Sequence, residues 1–467
     1  MPEKRPTTLG ELRAMGFEVL PIREEMRRNL MRKLADGEDL LPGIVGYEDT
    51  VIPQLENAIL AGQDIILLGE RGQGKTRIIR SLTGLLDEWT PVLDLVEIPE
   101  NPFAPISAQG RALIAEHGDA TPIRWAHRDE RYGEKLATPD ITIADLIGEV
   151  DPIRIAEGRY LSDELALSYG LVPRTNRGIF AINELPDLAE RIQVGLLNVM
   201  EERDVQIRGH RVRLPLDVFI VATANPEDYT NRGRIITPLK DRYGAQIRTH
   251  YPETVEQEIR VMEQEYSRLD MGEYRVHVPG FMKEILAELT RLARESPDVS
   301  QRSGVSVRAS VANYETVLAN ALRRAIRTGE QDVVPRICDL PFALASMLGK
   351  VEFEAFEEGR EPRILARLLE QAISEVFRRR VNLERLDDVV EAFGEGLAVE
   401  IGESMPSSAY SDVLLKVTGL TEAVTQLVPE GNSAVRASAC ELILEGLHLN
   451  KLLNKDSVAG QATYRGS

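Results

Sequence analysis

The chain has 467 residues, 43% hydrophobic and 28% charged, with a net charge of −19. Those proportions suit a folded protein of two or three domains and exclude a disordered chain. The acidic excess repels phosphate backbones and argues against nucleic-acid binding, and no apolar run approaches the ~18 residues a membrane-spanning helix needs.

The opening "MPEKRPTTLGELRAMG" lacks the apolar core of a signal peptide, so a cytoplasmic location is expected. Cys338 and Cys440 are too few and too far apart for a disulfide framework or a zinc site, and the six histidines never pair at metal-ligand spacing.

In chain order, residues 1–40 predict an N-terminal helical extension, with amphipathic helices near 8–15 and 22–35 and a breaker-rich junction, "ADGEDLLPG". Short continuous apolar runs follow, alternating with helical patterns: "DIILLG" (64–69), "VLDLVEI" (92–98), "IFAIN" (179–183), "VFIVATA" (218–224) and "AQIRTHY" (245–251). Continuous apolarity fits strands buried on both faces, so an α/β domain with a parallel sheet is expected over 41–252. From Glu253 the strand signals stop and apolar residues recur at helical spacing. An α-helical lid is expected over 253–380 and a helical region over 381–467, with a frayed end at 456–467.

After the first apolar run stands "GERGQGKT", where Gly69, Gly74, Lys75 and Thr76 fit G-x-x-x-x-G-K-[ST]. In such a loop (Gly69, Glu70, Arg71, Gly72, Gln73, Gly74, Lys75, Thr76) glycines let backbone N–H groups curl around a β-phosphate without Cβ clashes. Lys75 would reach the β- and γ-phosphates, the Thr76 hydroxyl would hold Mg²⁺, and the following helix would add its positive end. A strand before and a helix after complete the context for an ATP site.

"GIFAINELPDL" (178–188) reads as the second strand of such a site, except that Asn-Glu replaces the usual Asp-Glu. Asn183, at the metal-facing position, can accept a hydrogen bond but contributes no charge. Glu184 can still polarise a water as general base. At the end of the next run, "VFIVATANPED" places Asn225 between the γ-phosphate and that water.

With these motifs in order, the chain resembles an AAA+ ATPase of the branch containing the magnesium chelatase small subunit and the MoxR ATPases, over about 41–350. "GIVGYEDTVIPQLENAILAGQDIILLGERGQGKT" is similar to that branch's opening, which implies that Ile44, Val45, Gly46 and Tyr47 hold the adenine. "TNRGIFAINEL" resembles its lead into Walker B, and "LLNVMEERDVQIRGHRVRLPLDVFIVATANP" its helix, hairpin (205–215) and sensor-1 strand, which makes Asn225 sensor 1. The resemblance implies that Arg242 in "TPLKDRYG" is an arginine finger, that Arg308 in "GVSVRAS" is sensor 2, and that Arg177 is a further trans-acting candidate. The stretch 137–178 resembles the family's helix-2 insertion; residues 101–133 match no family role.

The resemblance implies a hexameric ring that hydrolyses ATP with Mg²⁺ to remodel or activate a protein carrying a von Willebrand A domain. The nearest approach to that domain's D-x-S-x-S is "DVSQRS" (298–303), which lacks the final serine, so the partner is expected on a separate polypeptide. Two alternatives stand beside this reading. One is a nucleotide-gated scaffold that hardly hydrolyses ATP because of Asn183. The other is a DNA-acting machine, which the charge and the absence of a G-A-F-T-G-A loop oppose.

Overall fold

The computed structural model describes residues 5–156, 164–201, 214–225, 234–267, 271–300, 303–354, 359–458 and 460–467. The chain divides into two units, one running to His250 and the other from Tyr251 to the end.

The first unit opens with α1 (Leu9–Ala14), closed at its start by a capping box between Thr8 and Glu11, and α2 (Ile22–Asp36). α3 (Val51–Leu60) leads into β1 (Ile65–Leu68), and α4 (Lys75–Ser81) follows the phosphate loop. Then come β2 (Trp89–Leu93), β3 (Ile123–His127), β4 (Tyr132–Leu136), β5 (Gly148–Val150), β6 (Leu167–Tyr169), β7 (Gly178–Asn183), β8 (Val218–Ala224) and β9 (Ala245–Arg248). Five of these form one parallel sheet in the order β4-β7-β8-β1-β9.

Alternation along the strands sends side chains to two separate cores. Ile65, Leu67, Ile179, Ala181, Phe219 and Val221 pack on one face with Met26 of α2, Leu55 of α3 and Ile78 of α4. Ile66, Phe180, Ile182, Ile220 and Ala222 pack on the other with Leu196 of the helix Glu190–Glu201. The extension at 1–40 is therefore built into the first unit: α2 lies on the same core as the phosphate-loop helix.

Two strand expectations need correction. The run at 92–98 does not enter the parallel sheet; β2 pairs antiparallel with β3 in a two-stranded ribbon that includes Pro91, a residue unable to donate to a central ladder. The fifth sheet strand is β4, "YGEKL", whose polar composition gave no strand signal because Glu134 is paired by Arg80 of α4 rather than buried among apolar side chains.

The second unit has its own core, to which Met282, Ile285 and Leu289 (helix Gly280–Glu295), Leu365 and Phe377 (Glu361–Arg380), and Leu442 and Ile443 (Ser433–Leu449) contribute. The last two helices approach so closely that a Cβ at Gly446 would strike the Phe377 ring. β10 (Arg275–Val276) and β11 (Asp332–Val333) form a short parallel pair. The end of the chain is not wholly helical, nor is its tail frayed. β12 (Ala398–Gly402), β13 (Leu453–Val458) and β14 (Gln461–Gly466) form an antiparallel sheet in the order β12-β14-β13. β13 and β14 are largely polar, with Tyr464 buried against Glu445, and only the short β12 alternates apolar residues inward (Val399, Ile401), so the pattern carries little apolar signal.

Candidate functional site

The phosphate loop leaves the carboxyl end of β1 with a backbone only glycine tolerates at several points. Gly72 and Gly74 sit at φ 80° and 71°, the left-handed region. Gly69 has no room for a side chain: a Cβ there would run into Thr249 Oγ1 and Gln73 Oε1. Gln73 Oε1 accepts from the Glu70 N–H (3.0 Å) and from Thr249 Oγ1 (2.7 Å), which closes the loop on itself and on the end of β9. Lys75 is buried, and its Nζ donates to the Gly69 and Glu70 carbonyls (2.8 Å to Glu70). Thr76, half-buried, stands in the first turn of α4. Backbone cradle and ammonium together fit a nucleotide's phosphates, for which Lys75 would exchange the loop's carbonyls.

Strand register brings the other expected residues to the same edge. Leu68 pairs with Ala224, the Gly69 N–H donates to the Ala224 carbonyl (3.1 Å), and Asn225 follows at once, buried. On the far side of β8, Ile182 pairs with Ala222, which sets Asn183 and Glu184 beside Thr223. Glu184 occupies the left-handed region at φ 55°, a strained position for a residue with a Cβ. Its N–H donates to Thr223 Oγ1 (3.0 Å), and Thr223 Oγ1 in turn donates to Asn183 Oδ1 (3.4 Å). Ligands of open parallel sheets bind at this carboxyl edge.

Asn183 has a neighbour that sequence reading missed. Its Nδ2 donates to Glu134 Oε1 of β4 at 2.5 Å. Glu134 also accepts from Arg80 of α4 (Nε 2.8 Å, Nη2 3.2 Å) and from Tyr132 Oη (3.1 Å). Partial burial works to raise the Glu134 pKa, but these donors outweigh it and hold the carboxyl below its ordinary value. The only sequence signal for Glu134 was a carboxylate between the stretch without a family role and the helix-2 insertion.

The arginines part company. Arg177 is buried, donates to the Pro91 carbonyl (2.9 Å) and to Thr90 Oγ1 (3.3 Å), and sits at φ 61°. Burial pushes its pKa down to about 10. A side chain enclosed in its own subunit cannot reach a neighbour, so Arg177 is not a trans-acting finger. The "TNRG" lead-in instead ties β7 into place: Asn176 Nδ2 donates to the Pro99 carbonyl (2.6 Å), and Arg131, paired with Glu25, donates to the Arg177 carbonyl (2.7 Å).

Arg242 ends the helix Thr237–Arg242, just before β9, whose first residue, Ala245, pairs with Ile65 at the amino end of β1. It therefore lies toward the opposite edge of the sheet from the chain's own phosphate loop. Arg308 is exposed in the first turn of the helix Val307–Thr328 of the second unit, where Ser306 forms the cap.

Of the four residues expected at the adenine, Ile44 and Val45 are half-buried and Gly46 is left-handed at φ 84°. Tyr47 is buried, and its single hydroxyl proton is shared between the carbonyls of Gln73 (2.8 Å) and His250 (2.7 Å). Burial raises its pKa to about 12. The hydroxyl thus ties the phosphate loop to the residue after Thr249. The hairpin expected at 205–215 lies mostly outside the described residues. No cluster of three or more His, Cys, Asp or Glu suited to a metal occurs among the described residues, and none of their helices is long and apolar enough to cross a membrane.

Residues 157–239 match the Sigma-54 interaction domain family. The chain is 28% identical over 228 residues to the magnesium-chelatase 38 kDa subunit of Cereibacter sphaeroides, covering 47% of this chain and 61% of that one. It is 25% identical over 259 residues to the magnesium-chelatase subunit ChlI of a Nostoc species, covering 54% and 63%. The matched region therefore spans less than two thirds of each of these relatives. Among solved structures, it is similar to the complex between subunits BchI and BchD of magnesium chelatase, at 21% identity and a TM-score of 0.35, over 71% of this chain and 94% of that one. With the five-stranded parallel sheet and the phosphate loop at its carboxyl edge, these sequence matches make the chain a homologue of the AAA+ subunits of magnesium chelatase.

Proposed function

We propose that the chain is a Mg²⁺-dependent ATPase that works as a hexameric ring in the cytoplasm and uses ATP hydrolysis to remodel or activate a partner protein, one carrying a von Willebrand A domain on a separate polypeptide. The observation that carries this reading is the division of the expected residues between two edges of one sheet. Phosphate loop, Asn183, Glu184 and Asn225 stand at the carboxyl edge, and Arg242 toward the other. A finger remote from its own site but needed at one is what a ring of identical subunits supplies.

Lys75 and the loop N–H groups hold the phosphates, and Thr76 and Asn183 face the metal position. Mg²⁺, when bound, neutralises phosphate charge and fixes the phosphate oxygens for in-line attack. Glu184 orients and deprotonates the attacking water from a backbone position held by Thr223. Asn225 holds that water against the γ-phosphate, the neighbour's Arg242 stabilises charge as the bond breaks, and Arg308 acts as the lid's sensor. The match to the Sigma-54 interaction domain family favours a second reading, a DNA-acting machine, over a limited part of the chain.

Phosphate release from ATP with Mg²⁺ tests the proposal. Turnover by the unsubstituted chain is expected, and Glu184→Gln should lower it about 100-fold or more with ATP binding retained. Binding without turnover in the unsubstituted chain would favour the scaffold reading. Retention of duplex DNA at low salt would favour the DNA-acting one.

A further inference from the structure

The amide at position 183 and the carboxylate at position 134 belong together. Asn183 Nδ2 and Glu134 Oε1 are 2.5 Å apart, on adjacent strands whose register pairs Leu136 with Asn183. An aspartate at 183 would bring two carboxylates into contact there, and two like charges that close cannot both remain ionised. Asparagine meets the same carboxylate as a neutral donor. Because its Nδ2 is committed to Glu134, its Oδ1 must turn the other way, toward Thr223 Oγ1.

Position 134 also connects to the phosphate loop. Arg80, which donates two hydrogen bonds to Glu134, lies four residues after Thr76 in α4, hence on the same face of that helix one turn on. Glu134 thus stands beside the helix face that carries the metal-holding hydroxyl. Its ion pair with Arg80 has one exposed partner, the Arg80 side chain being 63% accessible, so solvent screens it, while the Asn183 bond lies on the buried side.

We infer that Glu134 supplies, from the neighbouring strand, the negative charge that Asn183 lacks, and that it acts through Asn183 as a positioning residue of the Mg²⁺–nucleotide site. The pair Glu134–Asn183 carries the same formal charge as a neutral residue beside an aspartate; the charge has moved one strand outward. The inference rests on the nucleotide reading above and makes the site's unusual asparagine a matched half rather than a lesion. It also predicts that the obvious repair, Asn183→Asp, repairs nothing.

The test is the affinity of the full chain for a fluorescent ATP analogue, measured with Mg²⁺ and again with EDTA, for the unsubstituted chain, Glu134→Gln, Asn183→Asp and the double variant. Glu134→Gln should lose about tenfold of the Mg²⁺-dependent gain in affinity, the size of effect seen when a partner of a metal ligand is removed. Asn183→Asp alone should gain nothing, and the double variant, which restores one carboxylate beside one amide, should recover most of the loss. Affinity in EDTA should stay level between the unsubstituted chain and Glu134→Gln, and circular dichroism should show every variant folded, with Asn183→Asp melting lowest because it sets two carboxylates in contact, which separates a metal effect from misfolding.

The inference is overturned if Glu134→Gln keeps the full Mg²⁺ effect, if Asn183→Asp alone increases it, or if the double variant is no better than Glu134→Gln. Absence of nucleotide binding in the unsubstituted chain would instead sink the ATPase reading, and this inference with it.

Discussion

The phosphate loop and the seam between β4 and β7 flank one site but are built in opposite ways. The loop is made by eight consecutive residues, with glycine backbone geometry and a lysine bonded to carbonyls five and six positions back. The seam is assembled from distant parts: Asn183 meets Glu134 49 residues away, and the turn before β7 is held by Arg131, itself paired with Glu25 106 residues away. A local device keeps its chemistry in its motif. A distributed one can move a charge between strands, provided the partners change together.

That contrast can be pressed hardest at the Glu25–Arg131 pair, whose side chains are only 3% and 2% accessible. Glu25→Gln leaves the arginine charge buried without its counter-ion and should cost about 3–5 kcal/mol. Chemical denaturation should show that loss in the first unit, although residue 25 touches no nucleotide-site residue in the hydrogen bonds described. An unchanged midpoint would mean the seam does not depend on its remote anchors.

A smaller effect, confined to binding, is expected from the local side. Lys75→Ala should weaken ATP-analogue affinity by about 2–3 kcal/mol, roughly 30- to 150-fold, as a charge-assisted bond to phosphate is lost. Its melting temperature should move by no more than a few degrees. A collapse in stability would show that the loop is also a structural element and blur the distinction.

The smallest change should come from Thr223→Val, which removes the acceptor for the Glu184 N–H while keeping shape. About 1 kcal/mol of stability is at stake. Hydrolysis should suffer more than nucleotide affinity, because the left-handed Glu184 loses the bond that holds it. Equal losses in both would place Thr223 outside the positioning of Glu184.

The same contrast explains what could be read in the sequence. G-x-x-x-x-G-K-T, the buried strands β1, β7 and β8, and Asn225 at the end of β8 are contiguous patterns, and the parallel sheet follows from them. β4 was illegible because its glutamate and lysine deny the apolar run that marks a sheet strand, and its carboxylate gains meaning only once Arg80 and Asn183 are seen around it. Arg177 misled for the converse reason: an arginine within a motif looks functional until burial shows that its bonds run inward to Thr90 and Pro91. The terminal sheet was hidden by strands whose outward residues outnumber the inward Tyr464 and its neighbours.

The edge position of β4 has one more consequence, for aggregation. Among the described residues the parallel sheet ends at β4 and at β9, and the rim of a sheet is where an extended chain can pair with free backbone groups. Here one rim carries Glu134 and Lys135 and the other Gln246 and Arg248. Charge along a rim penalises a foreign strand that would dock there, so the residues that break up the apolar pattern of β4 also keep its edge from templating fibrils.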